Sequence, residues 1–263
     1  MTADQNTIRV IHVFQQTSAG SVPTVVHDLN EFLPHQGIES SILYLNDDGV
    51  FKYIKSDQEV TVCRRDKKAG FDFRLVFKLA RYFKLKKVQA VHIHDDQLIP
   101  TIGLAAKLAG VKLFFTQHGP IHKKVNKIWF DLNQTVIFNS SYFQQEFLKS
   151  YKLSAQKCRV IRDGFNIARF QQSQQNAKRD DLKKQAGLTP EHFILGNMGG
   201  LWGNQDQASL LKAFRKLAKK APNMVLVLVG DGPVKPELEK LIKEFNLEER
   251  VKFVSQQEQS DPW

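Results

Sequence analysis

The stretch NMGGLWGNQDQASLLKAF, residues 197–214, sets the frame for the whole chain. It reads as the end of a strand, a glycine-containing turn and the start of a helix. In an α/β fold such a turn offers backbone N–H groups and the positive end of a helix dipole, which together receive a phosphate. A Lys or Arg usually completes such a cradle, yet no basic residue occurs between Gly200 and Leu211.

Working outward, the same strand–turn–helix unit recurs. FILGNM (193–198) leads into a helix over 207–220, MVLVLVG (224–230) leads into a helix over 234–245, and RVKFV (250–254) is a third strand. Upstream, QQSQQNAKRDD (171–181) is polar and poor in apolar residues, which marks 171–190 as a linker. Before it the alternation runs further. RVIHVF (9–14), SSILYL (40–45), EVTVC (59–63), AVHIH (90–94), KLFFT (112–116), TVIFN (135–139) and CRVIR (158–162) read as strands. Helices are expected over 22–36, 71–87, 98–109 and 142–151. In the first of them Val22, Val25, Val26, Leu29, Phe32 and Leu33 recur at three- and four-residue spacing.

Strands alternating with helices argue for parallel β-structure built from right-handed βαβ units. The expected fold class is α/β, with two Rossmann-like doubly wound parallel-sheet domains at 1–170 and 191–263. The second, with three strands and two helices, is about half of a Rossmann-type sheet. Right-handed crossovers order its strands 3-2-1, so FILGNM should pair on one side only.

The bulk composition narrows the class. The chain has 263 residues, 42% hydrophobic and 25% charged, which suits a soluble globular protein. Cys63 and Cys158 lie far apart and fall in no metal-ligand spacing, in keeping with a reduced, cytoplasmic compartment. The opening MTADQNTIRV lacks the basic segment and apolar core of a signal peptide, and the longest apolar run, MVLVLV, is far too short to span a bilayer.

The net charge of +11 is unevenly placed: Arg64–Lys87 holds ten basic residues against Asp66 and Asp72, a net of +8. On the helix within it, Leu75, Val76, Leu79 and Phe83 share one face, and Arg74, Lys78 and Arg81 line the other. A solvated helix back is one reading. Contact with an anionic membrane surface is the other, supported by the neighbouring Arg64–Lys68 cluster. No recognition helix or interleaved aromatic motif accompanies the charge, so no nucleic-acid partner is expected.

Ligands in open α/β sheets bind beyond the carboxyl ends of strands. After the first strand comes QQTSAGSVPTVV, a small-residue turn that is not G-x-G-x-x-G, which disfavours a nicotinamide or flavin cofactor. After AVHIH stand Asp95 and Asp96; after KLFFT stand His118 and Gly119. A His followed by Gly at a strand end can approach a ligand closely or be satisfied by local backbone, and spacing leaves both open. His92 and His94 point to one face of a strand, but zinc needs further ligands and no spaced Cys/His set supplies them. No metal is expected. GDGP (230–233) lines a nucleotide base or ribose, or is a plain tight βα turn.

Taken in order, AGSVPTVVHDLNEFLPHQGIESSILYL, AVHIHDDQ, FFTQHG, VIFNSSYFQQEFL and VIRDGFNIARF resemble the N-terminal domain of GT-B glycosyltransferases of family 4. ILGNMGGLWGNQDQASLLKAFRKL, VLVLVGDGPVKPELEKLI and RVKFVSQQEQSDPW resemble the domain that follows it. The resemblance covers essentially the whole chain, with VIRDGFNIARF and VGDGP its most telling parts.

It implies two Rossmann-like domains facing a cleft. It also implies sugar transfer from a nucleotide-sugar donor to a glycan or lipid-linked acceptor in cell-surface polysaccharide synthesis, usually with retention and without a metal or other cofactor. By position, Ala19 and Gly20 match the glycine loop near the donor phosphates, and His118 matches the cleft-facing His near the donor sugar. Gly230, Asp231 and Gly232 match the turn near the nucleotide.

The opening stretch departs from the family. Where the family has Gly-Arg-Leu and then Lys-Gly, this chain has Gly200 at the Arg position and Gln205-Asp206 at the Lys-Gly pair. Two cations that would neutralise the donor diphosphate are absent and a carboxylate is added, which predicts weak donor binding and poor stabilisation of the leaving group. The family's Glu–seven residues–Glu donor segment would fall beyond Trp263, so a C-terminally truncated enzyme is expected, peripheral on the inner face of the membrane or cytoplasmic. Its open sheet would invite a complementing C-terminal chain. Alternatives are a non-catalytic remnant that binds a partner, and a GT-B-shaped sugar-nucleotide epimerase.

Overall fold

In the computed structural model, residues 7–15, 21–45, 60–62, 73–119, 126–168, 171, 183 and 187–254 are described. The chain divides into two compact units, Met1–Asn166 and Ile167–Trp263.

The first unit is built on a seven-stranded sheet of order β3-β2-β1-β4-β5-β6-β7, with every pairing parallel. Its strands are β1 (Ile8–Phe14), β2 (Ile38–Tyr44), β3 (Val60–Val62), β4 (Ala90–Ile93), β5 (Lys112–Gln117), β6 (Thr135–Phe138) and β7 (Cys158–Val160). The order reverses between β1 and β4, which is the switch point where open α/β sheets leave a crevice at the strand ends. Its helices are α1 (Ser21–Phe32), α2 (Phe73–Leu85), α3 (Ile99–Ala109), α4 (Lys127–Asp131) and α5 (Ser141–Tyr151).

Side chains on a strand alternate between faces, and here parity sorts them. Odd positions Ile11, Val13, Val91, Ile93, Leu113 and Phe115 join the main core with Leu75, Val76, Leu79 and Phe83 of α2. The apolar face expected for that helix is therefore its buried face. On β1 and β2 the even positions belong to the opposite face, where Phe14, Ile42 and Tyr44 pack with Val26 of α1 in a smaller cluster; at β6 the register shifts the parity, and Val136 and Phe138 face the main core.

The second unit carries a parallel three-stranded sheet of order β10-β9-β8, the expected 3-2-1 arrangement. Its strands are β8 (Phe193–Met198), β9 (Met224–Val229) and β10 (Val251–Val254), with α6 (Gln207–Ala218) and α7 (Lys235–Glu244) between them. One face buries Leu211, Phe214, Leu226, Leu228, Leu238 and Ile242. On the other, Val225, Val227 and Val229 pack with Leu188. Leu188 falls inside the segment read as a linker, so at least that end of 171–190 is part of the second unit's core. In the local sequence pattern its polar neighbours outweigh this one apolar residue.

Several boundaries move by a few residues. The helix expected over 22–36 is α-helical only to Phe32, then tightens into a 3₁₀ turn, Leu33–Gln36. Pro34 enters that turn, and Gly37 closes it in the left-handed region at φ 70°. The strand expected to run to Arg162 stops at Val160. Helix α4 was not expected; Asn126 caps it by accepting the Ile128 N–H at 3.1 Å. Among the described residues no helix is long and apolar enough to cross a membrane.

Candidate functional site

In the second unit, two strand-to-helix turns meet backbone against backbone. Gly199 N–H donates to Val229 O and Leu201 N–H to Asp231 O, each at 3.0 Å, and Val234 N–H donates to Leu201 O at 3.2 Å. No side chain fits between them. A Cβ on Gly230, at φ 142°, would lie 2.1 Å from the Gly199 carbonyl oxygen, and one on Gly232 would lie 2.3 Å from the Leu201 carbonyl oxygen. The two glycines of GDGP are thus required by this contact, whatever else they do.

Gly200 carries a different constraint. A Cβ there would lie 2.4 Å from the Trp202 indole, which occupies the place a side chain at this position would take. The buried Gln207 side chain donates to Gly200 O at 3.1 Å and ties the turn to the start of α6. Gln205 is exposed and ends a short 3₁₀ turn, Gly203–Gln205. Asp206 then takes the left-handed region, φ 51° and ψ 40°, and caps α6 by accepting the Ser209 N–H at 3.3 Å. The end of the helix that would face a phosphate therefore already has a carboxylate on it. One cation does lie beside the turns: Lys235 Nζ, 3.5 Å from Asp231 Oδ1 and over the Phe253 ring.

In the first unit, His118 stands just past β5, with its backbone fastened on either side. Asn139 Nδ2 donates to His118 O at 3.3 Å and to Asp163 Oδ2 at 3.1 Å, and Gln117 Nε2 donates to Gly119 O at 2.6 Å. Its ring does not stand alone. His12, His92, His94, Thr116 and His118 all have even numbers on adjacent parallel strands, so they line one face of the sheet. His118 Nε2 is 3.0 Å from His94 Nδ1, and His94 Nε2 is 3.1 Å from His12 Nδ1. His92 Nε2 pairs with Thr116 Oγ1 at 2.7 Å. Beyond His118, Nδ1 faces Asp163 Oδ1 at 3.9 Å. Next to this row, Asp95 Oδ2 accepts the Gln15 N–H at 2.7 Å.

Burial governs the charge of this row. It lowers the His12 pKa to about 4. Burial, reinforced by the neighbouring imidazoles, holds His92 and His94 well below their ordinary value. His118 is also lowered by burial, against an opposing pull from the Asp163 carboxylate. At neutral pH the row is a set of uncharged imidazoles. One ring nitrogen each of His12, His92 and His94 lies within 4.8 Å of the other two, a spacing open to a metal ion. His12 Nδ1, His92 Nε2 and both nitrogens of His94 are instead engaged with one another, with His118 and with Thr116, which reads as a hydrogen-bonded row.

The expected site residues therefore fall into two groups. Gly200, Gln205, Gly230, Asp231 and Gly232 gather around the paired turns of the second unit, and His118 belongs to the first. Ala19 and Gly20 lie outside the described residues. His12, Asn139, Asp163 and Lys235 were not singled out from sequence. His12 shares a register with His92 across two strands far apart in the chain, and no local spacing encodes that.

The Arg64–Lys68 cluster lies outside the described residues, but α2 is described. Its exposed side carries Arg74, Lys78, Arg81 and Lys84 together with Phe73 and Phe77, which are 63% and 64% exposed. Phe77, Arg81, Lys84 and Leu85 line a surface groove with Leu108 of α3.

Residues 22–169, more than half of the chain, match the family described as Glycosyltransferase Family 4, and residues 178–263 match Glycosyl transferases group 1. Among curated proteins, the chain is 26% identical over 182 residues to the putative glycosyltransferase EpsF of Bacillus subtilis, covering 64% of this chain and 47% of EpsF. It is 22% identical over 272 residues to an Escherichia coli UDP-Gal:alpha-D-GlcNAc-diphosphoundecaprenol alpha-1,3-galactosyltransferase, covering 95% of this chain and 69% of that one. The chain thus spans about half the length of EpsF. Among solved structures, Anabaena HepE in complex with UDP and glucose superposes with a TM-score of 0.76 at 19% identity, over 94% of this chain and 69% of that one.

Proposed function

From a chain that belongs to Glycosyltransferase Family 4 and has the GT-B fold, we propose a protein of sugar transfer, moving a sugar from a nucleotide-sugar donor to a glycan or lipid-linked acceptor. The observation that carries this reading is the paired glycine turn of the second unit. Two βα turns stack backbone on backbone at the carboxyl ends of β8 and β9, the place where open α/β sheets take ligands and where a helix N-terminus favours a phosphate. UDP-sugar is the donor class, and a diphospholipid-linked sugar the acceptor class, on the likeness to HepE and to the E. coli galactosyltransferase. Gly200, Gln205, Gly230, Asp231 and Gly232 are the second unit's candidates for donor recognition, and Ala19, Gly20 and His118 are those of the first. Transfer proceeds with retention and needs no resident metal or other cofactor.

Its donor electrostatics are weak. Gly200 and Gln205 supply no positive charge, and Asp206 sets a carboxylate on the helix end. The remaining cation, Lys235, is shared with Asp231. An anionic leaflet is the second partner. On this reading the leaflet meets the basic face of α2 while Phe73 and Phe77 enter the interface, and the protein works on the cytoplasmic face of the membrane that holds the acceptor. One observation favours a second reading, a non-catalytic protein that binds acceptor or partner: the Asp206 carboxylate stands where an incoming phosphate would seek N–H groups.

Product formation from a panel of UDP-sugars with a polyprenyl-diphosphate-linked acceptor tests the proposal. Slow transfer, well below about 1 per second, is expected. Turnover at that rate or above contradicts the weakened donor site, and no transfer or donor binding at all favours the second reading.

A further inference from the structure

The row His12–His94–His118 ends on an acid at one side and, among the described residues, on no partner at the other. His118 Nδ1 faces Asp163 Oδ1 at 3.9 Å, and it is buried without a hydrogen-bond partner among the described residues. At the far end, His12 Nε2 is likewise buried without a partner among them. Between them lie two ring-to-ring contacts, His118 Nε2 to His94 Nδ1 at 3.0 Å and His94 Nε2 to His12 Nδ1 at 3.1 Å.

A neutral imidazole carries one N–H and one bare nitrogen. Two contacts among three neutral rings can then be satisfied in only two ways, each running in one direction along the whole row. In the first, every ring is the Nδ1–H tautomer. His12 donates to His94, His94 donates to His118, and the His118 Nδ1–H points at the Asp163 carboxylate. The unpaired atom is then a bare His12 nitrogen. In the second, every ring is the Nε2–H tautomer. A bare His118 nitrogen then faces the carboxylate, and a buried His12 N–H is left without an acceptor. Asp163 is the charged group nearest His118, and the other groups of the row, His12 and His94 with His92 alongside, are held neutral by burial. Its negative charge favours the first arrangement at one end, and an orphaned donor disfavours the second at the other.

We propose that Asp163, His94 and His12 are positioning residues that lock His118 as its Nδ1–H tautomer, with that N–H directed at the Asp163 carboxylate, so that the ring does not serve as a base. The tautomer follows from the row alone; its service to donor-sugar chemistry at this strand end rests on the glycosyltransferase reading.

Long-range ¹H–¹⁵N correlation spectra of histidine-labelled full chain at pH 7 report each ring's tautomer directly. His118→Gln supplies the assignment of the His118 signals. The expected wild-type result is a bare Nε2 and a protonated Nδ1 for His118, His94 and His12 alike. His94→Phe keeps the ring stacked on Phe14, 4.7 Å away in the wild type, and removes both nitrogens. In that variant His12 loses the contact that fixes it and should shift to a mixture of tautomers, while His118 keeps Nδ1–H against Asp163. Asp163→Ala should shift both His118 and His12, although His12 does not touch Asp163, a response that a packing role would not produce. His118 found as Nε2–H in the wild type overturns the proposal even if a variant fails to fold. So does a His118 tautomer left unchanged by Asp163→Ala. Loss of the glycosyltransferase reading alone would look different: the wild-type tautomers would stand while UDP-sugars left the His118 signals unmoved.

Discussion

Asp206 Oδ1 accepts the backbone N–H of Ser209 at 3.3 Å while Asp206 itself sits in the left-handed region at φ 51°. One residue thus both caps α6 and bears a conformation that glycine adopts without cost. Asp206→Gly should leave stability nearly unchanged, since the lost cap is offset by the relaxed backbone. Asp206→Ala loses the cap and still needs the left-handed conformation, so it should cost about 1–2 kcal/mol. Urea denaturation of the two variants checks this; equal losses would contradict it.

The contact between the glycine turns predicts a sharp positional contrast. Gly232→Ala forces a Cβ onto the Leu201 carbonyl, and Gly230→Ala forces one onto that of Gly199. Each should destabilise the second unit by about 1–3 kcal/mol. Gly196→Ala, in β8, meets nothing within 4 Å and should stay within about 0.5 kcal/mol of wild type. Unfolding followed through the Trp202 region distinguishes them.

The buried histidines predict acid sensitivity. His12 titrates near 4 when folded, against 6.5 for the ordinary side chain, so between those values the unfolded chain binds the additional proton. Stability from this group is full above pH 6.5 and falls as pH drops toward 4, by on the order of 3 kcal/mol. His92 and His94 shift in the same direction and add to the loss. Denaturation midpoints at pH 7.0 and 4.5 measure it. His12→Phe should flatten the dependence; an unchanged slope would show that His12 is not its source.

Helix α2 predicts binding to vesicles that contain phosphatidylglycerol. Each basic residue near an anionic surface contributes about 1 kcal/mol, so charge reversal at Arg74, Lys78 and Arg81 together should weaken binding by at least about 100-fold. Salt should weaken it as well, through screening. Phe77→Ser should reduce the part that survives high salt. Equal co-sedimentation with neutral vesicles would contradict the surface assigned to α2.

What was legible in the sequence follows from the range over which each feature is encoded. The alternation of strands and helices, the order of the last three strands and the buried face of α2 are all properties of local period and crossover handedness. His118 could be singled out because His-Gly at a strand end is local too. The row it belongs to could not: His12 reaches His94 through the pairing of β1 with β4, some eighty residues away, and parity alone does not reveal register. The glycines of GDGP were visible as a turn, but their close partner is the Gly199–Leu201 backbone of another turn, which only the folded sheet brings near. Leu188 was hidden for a related reason, since a single apolar residue in a polar stretch shows its burial only once β9 is beside it.

The paired turns of the second unit are proposed as the donor-diphosphate site, with the two cations of the family absent. Calorimetric titration of UDP into the wild-type chain and into Gln205→Lys/Asp206→Gly tests it most directly. The double change restores one cation and removes the carboxylate on the helix end, and Asp206→Gly does not disturb the backbone. A charge-assisted hydrogen bond contributes about 1.5–3 kcal/mol, so the double variant should bind UDP more than about tenfold more tightly than wild type. Equal affinity in the two proteins would contradict the account, because the diphosphate would then be held somewhere other than at Gly200–Gln207.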